Sequence, residues 1–484
     1  MASPVCIRHG RGMPFLTDLA GMRYGIIPAI LQLRMLRKVA INFWKFFLSG
    51  NGMTIRTGRY FGRAAALGAM VGMVTVAFHR MIEFFHDFVG IDRLGQSNRW
   101  ALFLLPATGA VVGSLIIKRF SSLRHARGTD SAVYAYHHSD GVIPPAVVPV
   151  KSVASVITVE CGGSAGYEGP ITLIGAACGS FLASVLHLDG RARRILMAAG
   201  LAAGISALFR APLAGAIFAA EIFYSSSDLE YDVILPSFVA SAVSYTVFAC
   251  FVGWQPLFEM ADYSFENGIR LFPYIALAFV VTLGARFYIT FFRTTESVFT
   301  RMEMPTWGKV TIGGLVTGLI GFCLPDIMGP GYAVIQRTFS TPDMAAITET
   351  VPRHWPLHGF LLFFFLKTVA TACTVGSGGS GGVFAPALVC GGALGAAVGI
   401  GFEAVLPSSV GIHPASFALV GMAGFVAAAV RCPLTAIVMV AEISGNHALL
   451  LPTMWVCGIA FWLNNGWSLY RSQVHDRDSS PVYS

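Results

Sequence analysis

The strings "GGSAGYEGP" (Gly162–Pro170) and "GGSGGVFAP" (Gly378–Pro386) stand 216 residues apart, and each opens an apolar run. A second pair follows in the same order: "RAPLAGAIFAAEI" (Arg210–Ile222) and "RCPLTAIVMVAEI" (Arg431–Ile443), 221 residues apart. One glycine-rich match arises easily by chance, but two motifs in register do not. The chain therefore holds two related halves, residues 60–250 and 270–465. Any fold it adopts must be buildable from two copies of one unit. The repeat alone leaves open whether the copies are inverted.

Composition says which solvent that fold meets. Of 484 residues, 55% are hydrophobic and 12% charged, with mean hydropathy +0.66. Soluble domains carry about 25% charged residues, so half of that cannot coat a body this size in water. The chain reads as an all-α polytopic membrane protein. Long spans are expected at Ala64–His79, Ala101–Lys118, Val233–Val252, Leu271–Phe292, Val310–Cys323 and His358–Thr374. Between them lie shorter or broken apolar pieces, among them Pro170–Leu186, Pro212–Tyr224, Phe384–Val398 and Pro433–Ile443. A crossing helix needs about 20 apolar residues, so these read as re-entrant or half-crossing. Irregular backbone at that depth survives where protein buries it or a polar cavity receives it. Repeats of this kind are a hallmark of transporter folds, with the substrate site at the repeat interface.

The net charge of +8 does not point to nucleic acid. Residues 1–63 carry Arg8, Arg11, Arg23, Arg34, Arg37, Lys38, Lys45, Arg56, Arg59 and Arg63 against Asp18 alone. Beside a first hydrophobic segment, that bias implies a cytoplasmic N-terminus. Residues 1–58 read as a basic cytoplasmic segment, with Arg37–Phe47 as a helix lying on the membrane surface. No cleavable signal sequence is evident. The nine cysteines are scattered without a CxxC pair, which suits small core residues rather than disulfides or metal ligands.

All four repeated strings place a proline at the head of an apolar run: Pro170, Pro212, Pro386 and Pro433. Proline is favoured where a helix begins, so the glycine-rich phrases are loops that open helices. Helix N-termini present free N–H groups and about half a positive charge, and glycine permits close backbone approach. Two such ends converging from two halves make an anion site without a cationic side chain. A full counter-charge at 4 Å attracts by up to about 20 kcal/mol in a dry interior, an upper bound. Partial dipoles hold an anion and still release it, as conduction requires.

"GYEGP" (Gly166–Pro170), "GGVFAP" (Gly381–Pro386), "RCPLTAIVMVAEI" and "SLYRSQV" (Ser468–Val474) together resemble the CLC family of chloride channels and chloride/proton exchangers. The resemblance covers Arg59 to Val474 in order. It implies a homodimer with one anion pathway per subunit, each built from two inverted repeats of tilted and broken helices. It also implies a transmembrane domain over residues 59–470 and a short cytoplasmic tail, 471–484, without CBS domains. Carried over by position, Glu168 is the gating glutamate. The anion-binding positions are Thr129, Gly166, Tyr167, Val383, Phe384 and Tyr470, with backbone amides at Val383 and Phe384 and a hydroxyl at Tyr470. The family's GSGIP motif falls best on "GTDSA" (Gly128–Ala132), with "SDGVIPP" (Ser139–Pro145) as another register. Asp130, next to Thr129, would repel an anion unless it points away. Chloride is the default, with nitrate, bromide and fluoride open. Neither cofactor nor metal is implied.

Exchangers of this family relay protons through a second glutamate at the end of the helix after "APLAG". Here that position is Ile222, which favours channel-like anion transport over proton coupling, with the chloride/proton antiporter as the alternative. Glu221 and Glu442 sit at matching repeat positions, which suggests a structural role on the backbone amides of a neighbouring broken helix. Lys151, Arg210 and Arg431 suit segment ends, and His137 and His138 a loop. "GGSAG" and "GGSGG" fit the GxSxG serine elbow, but that motif needs a strand before the serine. A membrane-embedded hydrolase is the alternative of a different class. Protonation would remove Glu168's claim on the positive field, so acid is expected to open the path.

Overall fold

The computed structural model describes residues 52–91, 99–120, 128–260, 268–340, 356–407 and 411–483. The segment Arg37–Phe47 lies outside these residues. Two compact units divide the chain, Met1–Arg63 and Ala64–Ser484, and the second holds every residue of the candidate site.

The first half comprises α1 (Gly52–Val89), α2 (Arg99–Arg119), α3 (Thr129–His138), α4 (Val147–Glu160), α5 (Glu168–Val185), α6 (Gly190–Phe209), α7 (Pro212–Glu221) and α8 (Tyr231–Val252). The second comprises α9 (Leu271–Arg301), α10 (Thr306–Cys323), α11 (Tyr332–Ser340), α12 (Pro356–Gly376), α13 (Phe384–Val405), α14 (Pro414–Val430), α15 (Pro433–Ser444) and α16 (Leu450–Leu463). No strand occurs among the described residues; two isolated bridges are the only sheet-like pairings there. Eight helices are long and apolar enough to cross a membrane. Two of them correct the sequence reading: α5 and α13, expected from Pro170–Leu186 and Phe384–Val398 to be half-crossing, are long and apolar enough to span, because Gly continues the helix where a neighbour packs closely. At about 1.5 Å per residue, α7 and α15 reach only about 15–18 Å, short of a hydrocarbon core of about 30 Å. They are half-crossing helices.

Local chemistry explains where the breaks fall. Pro212 and Pro433 start α7 and α15. The preceding helices α6 and α14 each end on an arginine in left-handed conformation, Arg210 at φ 56° and Arg431 at φ 66°. Pro170 and Pro386 sit two residues inside α5 and α13, so Glu168 and Phe384 are the first helical residues. An N–H in the first turn has no intrahelical partner, so proline there forfeits nothing.

The repeat is visible as paired contacts. Where α5 crosses α6, a Cβ on Gly175 would overlap the Gly200 carbonyl, and one on Gly200 would overlap the Gly175 carbonyl. Their repeat mates Gly391 and Gly421 do the same where α13 crosses α14, each Cβ standing 2.5 Å from the other's carbonyl oxygen. Without a hydrophobic drive between helices in lipid, small residues that let backbones touch hold such crossings together.

The half-crossing helices exchange carboxylates. Glu221 at the end of α7 accepts from the amides of Leu434 (2.9 Å) and Thr435 (2.8 Å) at the start of α15. Glu442 near the end of α15 accepts from Leu213 (3.1 Å) and Ala214 (2.8 Å) at the start of α7. Equivalent residues satisfying each other's orphan N–H groups is what two inverted copies produce when they face across a shared axis. Large apolar side chains such as Phe272, Leu283 and Trp462 cover the outside and are exposed. With eight apolar spans, that surface makes the chain a multi-pass integral membrane protein.

Candidate functional site

The two glycine-rich phrases bond to each other. The Gly166 amide donates to the Gly382 carbonyl (2.9 Å) and the Gly382 amide to the Gly166 carbonyl (2.7 Å). These are equivalent residues of the two repeats, so the axis between the halves passes through this pair. The bridge fixes the N-termini of α5 and α13 side by side.

Glu168 lies where they meet. Its side chain is 1% exposed, and Oε1 accepts from the Phe384 amide at 2.8 Å. The amides of Ala385 and of Glu168 itself also face the carboxylate. Gly166 and Gly382 cradle it, since a Cβ on either would collide with its oxygens. Oε2 has no hydrogen-bond partner among the described residues. The first residue of α5 thus places its negative charge on the first amide of α13, the equivalent helix of the other half, where an external anion would also be held.

The remaining sequence candidates divide into groups. Thr129, Val383 and Tyr470 line a cavity of about 470 Å³ that reaches Gly169 and Gly382, just beneath the Glu168 seat. The Thr129 hydroxyl shares a hydrogen bond with Thr172 at 2.8 Å and also meets Tyr470. The Val383 carbonyl accepts from the buried Tyr288 hydroxyl at 3.0 Å. Gly166 spends its amide on Gly382, so in this conformation it cradles the carboxylate and offers no donor. Tyr167 turns away, its hydroxyl donating to Glu160.

Asp130 points away from the axis of the site: Oδ1 accepts from the Ser472 amide at 2.9 Å, which ties the Tyr470 segment to α3. Five basic side chains line the cavity, Lys118, Lys151, Arg293, Lys309 and Arg471. The two acids there are occupied, Asp130 as above and Glu296 by Arg471 at 3.0 Å. A concave, net-positive mouth concentrates anions.

Ile222 is fully buried, as is Tyr224. Eight residues beyond Ile222 stands Glu230, a carboxylate that the motif pattern did not single out. Its amide returns to the Ala220 carbonyl (2.8 Å), which brings it back beside the end of α7. Glu230 is 0% exposed, and its oxygens accept from the hydroxyls of Tyr224 and Tyr483, both at 2.7 Å. Arg477 stands 3.5 Å away and reaches the surface. Lys367 was also missed; it is buried on α12, donates to the carbonyls of Ile327 and Gly329 (both 2.7 Å), and faces Glu168 electrostatically. A lone charge inside an apolar run, as in "FFFLKTV" and "SVITVE", is the signal that finds such residues.

Arg210 donates to the Gln255 carbonyl (2.7 Å) and Arg431 to that of Ser225 (2.9 Å), as segment-end residues should. The histidine pair is not in a loop: it closes α3, where His137 is buried against Ser480 (2.9 Å) and the Phe223 carbonyl (3.1 Å). Ser164 and Ser380 sit in no strand–turn–helix elbow; their hydroxyls meet Thr371 (3.0 Å) and Ser155 (2.9 Å).

Known proteins match this architecture. A family model described as voltage gated chloride channel covers residues 108–465. A Ralstonia nicotianae protein named "Putative chloride channel protein ClcB-like" is 30% identical, across 81% of this chain and 91% of its own length. A Yersinia pseudotuberculosis protein named "H(+)/Cl(-) exchange transporter ClcA" is 32% identical, across 81% and 82%. The solved structure of a slow cyanobacterial Cl−/H+ antiporter superposes with TM-score 0.74 at 22% identity, covering 85% of this chain and 96% of that one. A CLC-type fluoride/proton antiporter gives the same TM-score at 20% identity, covering 88% and 100%. The family model spans well over half of the chain and the named relatives are at least 30% identical across four fifths of it, so the chain belongs to the CLC family of chloride channels and transporters.

Proposed function

We propose that this anion-transporting CLC protein exchanges chloride for protons, with Glu168 carrying both the gate and the proton. One observation carries the reading: the Glu168 carboxylate occupies the amide of Phe384 while its other oxygen is buried and unpartnered. Ionised, it fills an anion's place at the two helix ends. Protonated, it loses its attraction to that field, and a chloride from the cavity takes the seat. The amides of Val383 and Phe384 and the hydroxyls of Thr129 and Tyr470 then serve as ligands, with Gly166 and Tyr167 forming the outer wall.

The Ile222 position by itself speaks for a channel. Two features favour exchange instead: relatives that bear the exchanger name, and Glu230, which returns a buried carboxylate to the end of α7. Tyr224 and Tyr483 hold it through hydroxyls that can accept as well as donate, so both stay bonded when it takes a proton, and Arg477, which only donates, reaches solvent instead. We place the protein in the inner membrane as a homodimer with cytoplasmic termini, a basic segment over 1–58, a transmembrane domain over 59–470 and a tail over 471–484.

The test uses purified protein in liposomes loaded with chloride, with external pH and chloride recorded together. Uphill proton movement that follows the chloride gradient is expected. It should vanish in Glu168→Gln, and fall to the leak in Glu230→Gln while chloride still flows. Chloride flux without proton movement would make the protein a channel-like conductor.

A further inference from the structure

Glu168 is buried, so a proton reaches it only through protein. The cavity side is accounted for: Tyr288 on α9 donates to the Val383 carbonyl, and Tyr470 lies on the cavity. Lys367 on α12 gives its protons to two carbonyls and has no capacity to accept. Among the described residues, Tyr332 on α11 completes the titratable groups facing Glu168, apart from one cluster.

That cluster is His86, Glu160 and Tyr167, drawn from α1, α4 and the loop before α5. Glu160 closes α4, at the far end from Lys151 on the cavity and about 14 Å further along the axis. Its side chain is 9% exposed. Oε1 accepts from the Tyr167 hydroxyl, and Oε2 lies 3.0 Å from Nδ1 of His86. His86 is half exposed, at 50%. Tyr167 is the residue before Glu168, its ring packed edge-on against Phe78 at 5.8 Å, and its hydroxyl feels the Glu168 charge. The Cys161 thiol also faces Glu160.

The chemistry of the partners separates Glu160 from the structural carboxylates. Each oxygen of Glu221 and of Glu442 carries a backbone N–H, which only donates, with the Thr435 hydroxyl added on Glu221. Protonating either would set O–H against N–H. The partners of Glu160 are an imidazole and a phenol, and each can turn from donor to acceptor. Glu160 therefore changes protonation state without losing its hydrogen bonds, which is what a relay requires.

We propose that His86, Glu160 and Tyr167 form a proton-loading chain that feeds Glu168 from the side opposite the anion cavity. The proposal rests on the exchange reading above. A proton enters at Nε2 of His86, and the Nδ1 proton passes to Oε2 of Glu160. Glu160 then gives a proton to the Tyr167 oxygen as the Tyr167 hydroxyl proton goes to Oε2 of a Glu168 carboxylate turned outward. One proton enters and one arrives: the Glu160 carboxyl turns to carry its proton from the His86 side to the Tyr167 side, and the imidazole, left with its proton on Nε2, regains the Nδ1–H tautomer by exchange with water at its half-exposed ring.

The experiment measures coupled proton and chloride flux in liposomes for the full chain, with Glu160→Gln, Tyr167→Phe and His86→Gln each in the wild-type and the Glu168→Ala background. His86 is half exposed, so His86→Gln keeps the test open if the buried variants fail to fold. With Glu168 present, proton movement should drop by about 100-fold, the low end for a positioned proton donor, and exchange should slow with it. With Glu168 removed, chloride flux should be unchanged by His86→Gln or Glu160→Gln. Wild-type proton rates in His86→Gln and Glu160→Gln would overturn the proposal and leave exchange standing. Equal slowing of chloride in both backgrounds would overturn it too, by showing a purely structural cluster. A wild-type protein that moves no protons would overturn exchange and the chain together.

Discussion

Replacing Gly166 by alanine should open the path without touching any charge. The three atoms nearest to a Cβ at this position all belong to the Glu168 carboxylate, with Cδ and Oε1 at 2.5 Å and Oε2 closer still. The backbone there has no positive φ, so alanine is otherwise acceptable. The collision is relieved by moving a flexible side chain, and the move available is out of its seat. What is lost is the hydrogen bond from the Phe384 amide to a carboxylate, worth about 1.5–3 kcal/mol. At about 1.4 kcal/mol per tenfold, that shifts occupancy of the seat by about 10- to 100-fold toward the open form. Chloride flux in liposomes at neutral pH should rise accordingly, and its stimulation by acid should flatten, because acid does the same thing by another route. Gly382→Ala is the instructive contrast. Its Cβ would also stand 2.6 Å from the Gly169 amide nitrogen, so it strains backbone and should lower stability. The reasoning is refuted if Gly166→Ala raises flux equally in a Glu168→Ala background, or if it leaves the acid dependence intact.

Other expectations follow from the same geometry. Glu221→Gln removes one of two acceptors from the start of α15 and turns an amide donor toward it, at a cost of about 1–3 kcal/mol. Glu442→Gln should cost less, since Glu442 is only half buried and has no hydroxyl partner to match Thr435 (2.6 Å) on Glu221; melting curves in detergent rank the two, and the proton-to-chloride ratio of either should stay at the wild-type value. In the tail, the Ser479 hydroxyl and then His475 hold Asp476 down to about 2 from its ordinary 3.8. A depressed carboxylate stabilises the tail fully above 3.8 and loses that contribution as pH falls through about 2. Carboxyl-labelled NMR of Ser479→Ala should show the Asp476 titration moving back up, and no movement would remove the hydroxyl as the cause.

Much of this was legible in the chain because its signals are local or periodic. Low charge and long apolar runs require a membrane, and two doubled motifs require two halves. Prolines at the head of apolar runs mark helix starts, and a lone glutamate in one of them marks the carboxylate that sits where two helix ends meet. The matched Glu221 and Glu442 suggested an exchange of caps, and the exchange is there. What stayed hidden depends on pairings between distant segments. Nothing in "GGSAG" announces that Gly166 will bond to Gly382 on the other side of the chain. His86 and Glu160 lie 74 residues apart and meet only because α1 packs beside the end of α4. Glu230 follows Ile222 by a turn whose return to Ala220 no periodicity encodes. His137 and His138 read as loop residues by their polarity, yet α3 continues through them because Ser480 and the Phe223 carbonyl satisfy the buried imidazole.

The central claim is that Glu168 occupies an anion's place. Bromide anomalous scattering from crystals of the wild-type protein and of Glu168→Gln tests it directly. The variant should show a bromide within hydrogen-bonding distance of the Phe384 amide, where Oε1 now sits, and the wild type at neutral pH should show none at that point. A bromide at the Phe384 amide in both, or in neither, would contradict it.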